Sequence, residues 1–126
     1  MKVLLSIKPE FAHKIFEGTK RYEYRKAIFR DDGVRKILVY ASDPIKKVIG
    51  EFEIGSILQD EPQVLWTKTK AHAGISKKRF LKYFENKATG YAIEVKTPNL
   101  YDLPVPLECF MVTTPPQSFM YLDMND

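Results

Sequence analysis

"SIKPEFAHKIFEGTKRYEYRK", residues 6–26, changes its local rule twice in quick succession. Its first residues end an apolar, β-branched run, "KVLLSIK" (2–8), that reads as a buried first strand. Pro9 then presets the first turn of a helix, because its fixed φ suits that position and its missing N–H is not needed there. Phe11, Ala12, Ile15 and Phe16 fall on one face of about two helical turns. Gly18 follows where a left-handed cap belongs. From Lys20 the period drops to two, with Tyr22 and Tyr24 on one side and Arg21, Glu23 and Arg25 on the other, as in a half-buried strand. The spacing predicts strand, short helix, tight stop and second strand.

Working outward, "DDG" (31–33) marks a turn, and "VRKILVYAS" and "KKVIGEFEIGSI" read as two strands joined around "SDP". "EPQVLWTKTKAHAG" is a weaker helical segment. Ser76 can N-cap a clearer helix, whose Phe80, Leu81 and Phe84 form an apolar stripe beneath Lys77, Lys78, Arg79 and Lys82. "GYAIEVK" is a further strand. Beyond it "NLYDLPVPL", "ECFMVTT" and "SFMYLD" read as short extended pieces broken by Pro98, Pro104, Pro106, Pro115 and Pro116. With five to seven short strands, two or three helices and no repeating strand–helix–strand unit, the expectation is an α+β, mostly β chain: a small mixed β-barrel.

At 126 residues and 44% apolar content, residues 1–126 fit one domain that buries roughly two-thirds of its unfolded surface. "MKVLLSIKPEF" is too short in its apolar run and too charged for a signal peptide, and no run approaches a membrane span. A cytoplasmic protein with no membrane association is expected. Cys109 is the single cysteine, which excludes an internal disulfide framework, and "LECFMV" reads as burying it. His13 and His72 lie in no ligand-spaced set, and there is no Gly-rich phosphate loop, so neither a metal nor another cofactor is expected. Residues 1–90 carry 19 Lys/Arg against 11 Asp/Glu, whereas residues 91–126 carry 1 against 5. The basic charge is concentrated, and in "WTKTKAHAGISKKRFLKYFENK" (66–87) seven cations face one Glu85, a footprint that suits a polyanion as well as a solvated helix face.

Gly18, Lys20, Glu23 and Arg25 are the residues with chemistry in their spacing. The two-residue step puts Glu23 and Arg25 side by side, where they can pair and leave part of the guanidinium fork for a phosphate or base edge. A lysine next to a carboxylate is also the minimum for proton transfer or nucleophile activation.

The order of these segments resembles the ASCH family, named for activating signal cointegrator homology, within the PUA-like superfamily. Its most specific part is G-x-K-x-x-E-x-R, met by Gly18, Lys20, Glu23 and Arg25, with "YASDP" (40–44) and "PPQSF" (115–119) in support. The resemblance implies a PUA-like barrel with a cleft lined by that motif and a role in binding RNA. It also brings in enzymes, namely amidohydrolases that deacetylate acetylated cytidine and a ribonuclease. In the amidohydrolase branch a threonine stands where this chain has Glu23, and a distal acid is expected where "KAHAGISKK" has none.

The preferred reading is therefore RNA or a nucleotide-like ligand held in a cationic cleft. Its candidate residues are Lys8, Gly18, Lys20, Glu23, Arg25, Tyr40, Ser42, Gln117 and Ser118, extended by Lys77, Lys78, Arg79 and Lys82, with Tyr40 or Phe119 to stack a base. The alternative is a metal-independent hydrolase in which Lys20 is base or nucleophile and Glu23 handles the proton, with Ser6, Ser42 and Ser118 as supporting hydroxyls. A lysine solvated at the rim suits the first; one desolvated beside a carboxylate suits the second. A protein partner is a third possibility.

Overall fold

The computed structural model describes residues 1–124. Six strands, β1 (Lys2–Ile7), β2 (Tyr22–Arg25), β3 (Lys36–Ala41), β4 (Lys47–Asp60), β5 (Gly90–Val105) and β6 (Phe119–Leu122), form one sheet in the order β2-β5-β4-β3-β1-β6. Only β1 and β3 run parallel; the other neighbours are antiparallel. The helices are α1 (Pro9–Glu17), α2 (Pro62–Thr69) and α3 (Lys77–Tyr83). The sheet curls into a half-barrel, which is the small, mostly β architecture expected.

The near-continuous apolar runs of β1 and β3 follow from burial on both faces. Val3, Leu5, Ile37 and Val39 point to an inner core closed by Ala12 and Ile15 of α1, while Leu4, Leu38 and Tyr40 point outward under Leu107 and Val112. At the other end of the sheet, Tyr24 and Ala92 are covered by Leu65 of α2 and by Phe80 and Phe84 around α3. The helices thus cap β2 and β5 from outside, and α1 fills the curl from inside.

Three expectations need correction. Residues 90–105 form one long strand that runs through Pro98 and Pro104. Both prolines lie beyond the β2 pairing, which ends at Glu94, and next to register shifts against β4, where a missing N–H breaks no regular ladder. "ECFMVTT" is no strand: Leu107–Phe110 is a 3-10 helix ended by Met111 at φ 60°. That turn spends its inward positions on Leu107 and Val112, so Cys109 is exposed, not buried.

Candidate functional site

The edge strands β2 and β6 do not pair with each other, and the open seam between them is spanned by a side chain. Arg25 on β2 donates through Nη1 to Glu23 Oε2 (3.1 Å) and Ser6 O (3.3 Å), and through Nη2 to Ser118 O (3.2 Å) and Ser118 Oγ (2.9 Å). All four fork protons are committed within the protein. An incoming anion must displace one of these bonds or use the remaining Nε–H.

Lys20 is placed differently. Gly18 stops α1 at φ 92°, giving its N–H to Lys14 O and Ile15 O, and the Lys20 amide returns to Lys14 O at 3.1 Å. Lys20 then turns inward and is only 2% exposed. Its Nζ donates to Ala73 O at 2.9 Å and sits 4.6 Å from the Tyr24 ring centroid and 5.4 Å from that of Phe11. Burial holds its pKa down at about 8; the Glu23 carboxylate opposes the shift and the Lys14 ammonium adds to it. This is the desolvated lysine beside a carboxylate. Tyr24 below it is pushed up to about 12 by burial, against a hydrogen bond with Thr69 (2.6 Å).

Lys20, Glu23 and Arg25 open onto a cleft of about 660 Å³ between the end of β1, β2, α3 and the segment before β6. Of the other candidates, Lys8, Ser42, Arg79, Lys82, Gln117 and Ser118 line it, as does Ser6. Gly18, Tyr40, Lys77 and Lys78 do not. Gly18 borders a smaller cavity on the far side of Lys20, and Tyr40 is 4% exposed in the outer core, because a strand buried on both faces gives its aromatic no free side. Lys77 and Lys78 are exposed elsewhere on α3, since residues 79, 82 and 83 share the cleft-facing side at i, i+3 and i+4. Phe119 packs edge-on against Phe29 and Tyr121 and does not line the cleft.

Arg79 is tied to Glu10 by two bonds (2.9 and 3.1 Å) over the Phe11 ring. Lys8, Lys26 and Lys82 line the cleft without a carboxylate within salt-bridge distance among the described residues. Phe11, Lys26 and Tyr83 escaped the sequence reading; the helical spacing of Arg79, Lys82 and Tyr83 was the available signal for the last. Lys26 Nζ lies 4.7 Å from the Tyr83 ring centroid, a flat aromatic face under a cation. Among the described residues no group of three or more His, Cys, Asp or Glu is arranged to hold a metal, and no helix is long and apolar enough to cross a membrane.

Comparison with known proteins agrees with this fold. Crystal structures of ZmASCH from Zymomonas mobilis, of the unsubstituted protein and of single-substitution variants, superpose with a TM-score of 0.87 at 28% identity; the unsubstituted protein matches over 96% of this chain and 87% of its own. An ASCH domain-containing ribonuclease from Zymomonas mobilis subsp. mobilis is 32% identical over 99 residues, 77% of this chain and 67% of that protein. Large ribosomal subunit protein uL22 of Ureaplasma parvum serovar 3 is 29% identical over 120 residues, but the chain spans only 39% of its length, and it spans 15% of the ATP synthase subunit alpha matched from the same organism. The ASCH domain profile matches residues 5–99, and the chain belongs to the ASCH domain family.

Proposed function

We propose that the cleft binds single-stranded RNA and cleaves it, with Lys20 as the base that takes the proton of an attacking ribose 2′-hydroxyl. The observation that carries this reading is the dry Lys20 amine. It is held by one carbonyl, and with a pKa of about 8 roughly 10% of it is neutral at pH 7. A solvated lysine at the rim would be far less available as a base.

In the step proposed, Lys20 Nζ accepts the O2′ proton, O2′ bonds to the adjacent phosphorus and the P–O5′ bond breaks. The 5′-oxygen takes a proton from solvent at the mouth, leaving a 2′,3′-cyclic phosphate. Glu23, fixed by Arg25, supplies the counter-charge as Lys20 becomes an ammonium. Lys8, Lys26 and Lys82 suit the flanking phosphates, and Tyr83 offers a face for a base. The volume is that of a nucleotide-sized ligand site. The ribonuclease name of the relative supports RNA cleavage.

The test is incubation of wild type, Lys20→Met and Lys20→Arg with an RNA oligomer and with the same oligomer carrying one 2′-deoxy position, products being weighed by mass spectrometry. Cleavage with cyclic phosphate ends, blocked at the deoxy position and lost in both variants, is expected. Salt-sensitive binding without product would reduce the domain to a binding module and overturn the cleavage.

A further inference from the structure

The turn between α2 and α3 bears directly on Lys20 through its backbone, at Ala73 and Gly74, two residues with no functional side chain. Three consecutive carbonyls of this turn accept from the α1–β2 segment. His72 O takes the Arg21 amide at 2.9 Å, Ala73 O takes Lys20 Nζ at 2.9 Å, and Gly74 O takes Lys14 Nζ at 3.3 Å. Gly74 has φ +64°, and a Cβ built on it would lie 2.5 Å from Lys20 Cβ, 2.7 Å from Cγ and 3.1 Å from Cα. Those atoms belong to the root of a buried side chain and cannot swing clear as a flexible tip would. Ala73 itself is 2% exposed, packed in the cluster of Tyr24 and Phe80.

We propose that Ala73 and Gly74 form the positioning element of Lys20: the Ala73 carbonyl aims the amine into the cleft, and the bare Gly74 lets the turn close on the lysine stem and exclude water. The proposal deepens the cleavage reading and rests on it for its purpose, but its physical content is measurable without RNA. The titratable and charged groups around Lys20 are Glu23 and Tyr24 from β2 and Lys14 from α1, with Arg79 of α3 across the Phe11 ring and Arg21 and His72 behind the stem. A substitution at Gly74 changes none of these side chains, and the one its carbonyl holds, Lys14, is controlled by repeating the titrations in a Lys14→Met background. A change in Lys20 titration on such a substitution therefore reports hydration and aim of the amine.

Gly18 supplies the matched control. It too is left-handed, at φ +92°, yet a Cβ there meets nothing within 4 Å. Both glycines carry a positive-φ backbone penalty for alanine, and a Cβ at only one of them meets Lys20. The experiment is a heteronuclear NMR titration of the Lys20 side-chain amine in wild type, Gly74→Ala and Gly18→Ala, assigned with Lys20→Met. Gly74→Asn is a second variant, because asparagine tolerates the left-handed backbone while bringing the same Cβ.

The wild type should titrate near 8, the Gly74 variants should move toward 10.5, and Gly18→Ala should stay near the wild-type value. An unmoved titration in the Gly74 variants, or an equal move in Gly18→Ala, overturns the proposal. Should neither Gly74 variant fold, amide exchange in the wild type decides: an Arg21 amide as protected as those of β1 upholds a sealed turn, and one exchanging as fast as Gly33 overturns it. A clamped Lys20 in a protein that leaves RNA intact would sink the cleavage reading and keep the clamp.

Discussion

Lys20 and Arg25 stand at the two ends of one short stretch, and the fold treats them in opposite ways. Arg25 is embedded in acceptors, with four hydrogen bonds to three residues, Glu23 on its own strand and Ser6 and Ser118 across the seam of the sheet. Lys20 lies deeper, yet has one carbonyl, two aromatic faces and a carboxylate near enough to act only through its charge. A saturated cation holds structure, whereas an under-compensated one stores a readiness to lose its proton. On the proposed reading, one end of the motif serves the architecture and the other the chemistry.

Substituting each end separates the two roles. Lys20→Met should lower RNA cleavage by about 10²- to 10⁴-fold, the usual contribution of a positioned base, in single-turnover assays. The same variant should be more stable than wild type at pH 7, because it removes a charge that folding dehydrates. Arg25→Met should do the reverse to the fold, costing about 3–4 kcal/mol in denaturant unfolding, since it opens the seam and leaves Glu23 buried without its partner. Equal stability losses in the two variants would erase the contrast.

Stability against pH sharpens it further. The folded pKa of Lys20, about 8, lies below its ordinary value of 10.5, so between those pH values the unfolded chain binds the extra proton and stability rises with pH. Below pH 8 both states are protonated and the full penalty, about 3 kcal/mol at most, is present. Wild type should gain stability from pH 8 to 10.5 relative to Lys20→Met, as read from urea midpoints. A parallel pair of curves would mean that Lys20 is hydrated. Ser118→Ala, which removes the 2.9 Å acceptor but leaves the Ser118 carbonyl, should cost about 1 kcal/mol in the same assay. Smallest of all, Lys26→Ala should reduce the log–log salt slope of RNA binding by about 0.7, as expected of a single phosphate contact.

The parts legible in sequence were those written in local spacing. Pro9 and Gly18 bracket α1, Ser76 caps α3 by accepting from the Arg79 amide, and the two-residue step pairs Glu23 with Arg25. What escaped was set by residues distant along the chain. The commitment of the Arg25 fork depends on Ser6 and Ser118, which meet it only when the sheet curls. The partner of Lys20 is a backbone carbonyl, which no residue type announces, in the same segment where a distal acid was sought. Tyr40 was misplaced because alternation cannot tell a stacking face from a second core when both faces of a strand are buried.

The most direct test of the account is the pH dependence of kcat/KM for cleavage of one RNA oligomer by the wild-type protein. A rate that climbs to a plateau with an apparent pKa of about 8 is the expected result, the neutral Lys20 amine being the active form. A rate that is flat through pH 8, or falls there, would mean that Lys20 works as a fixed cation and not as the base.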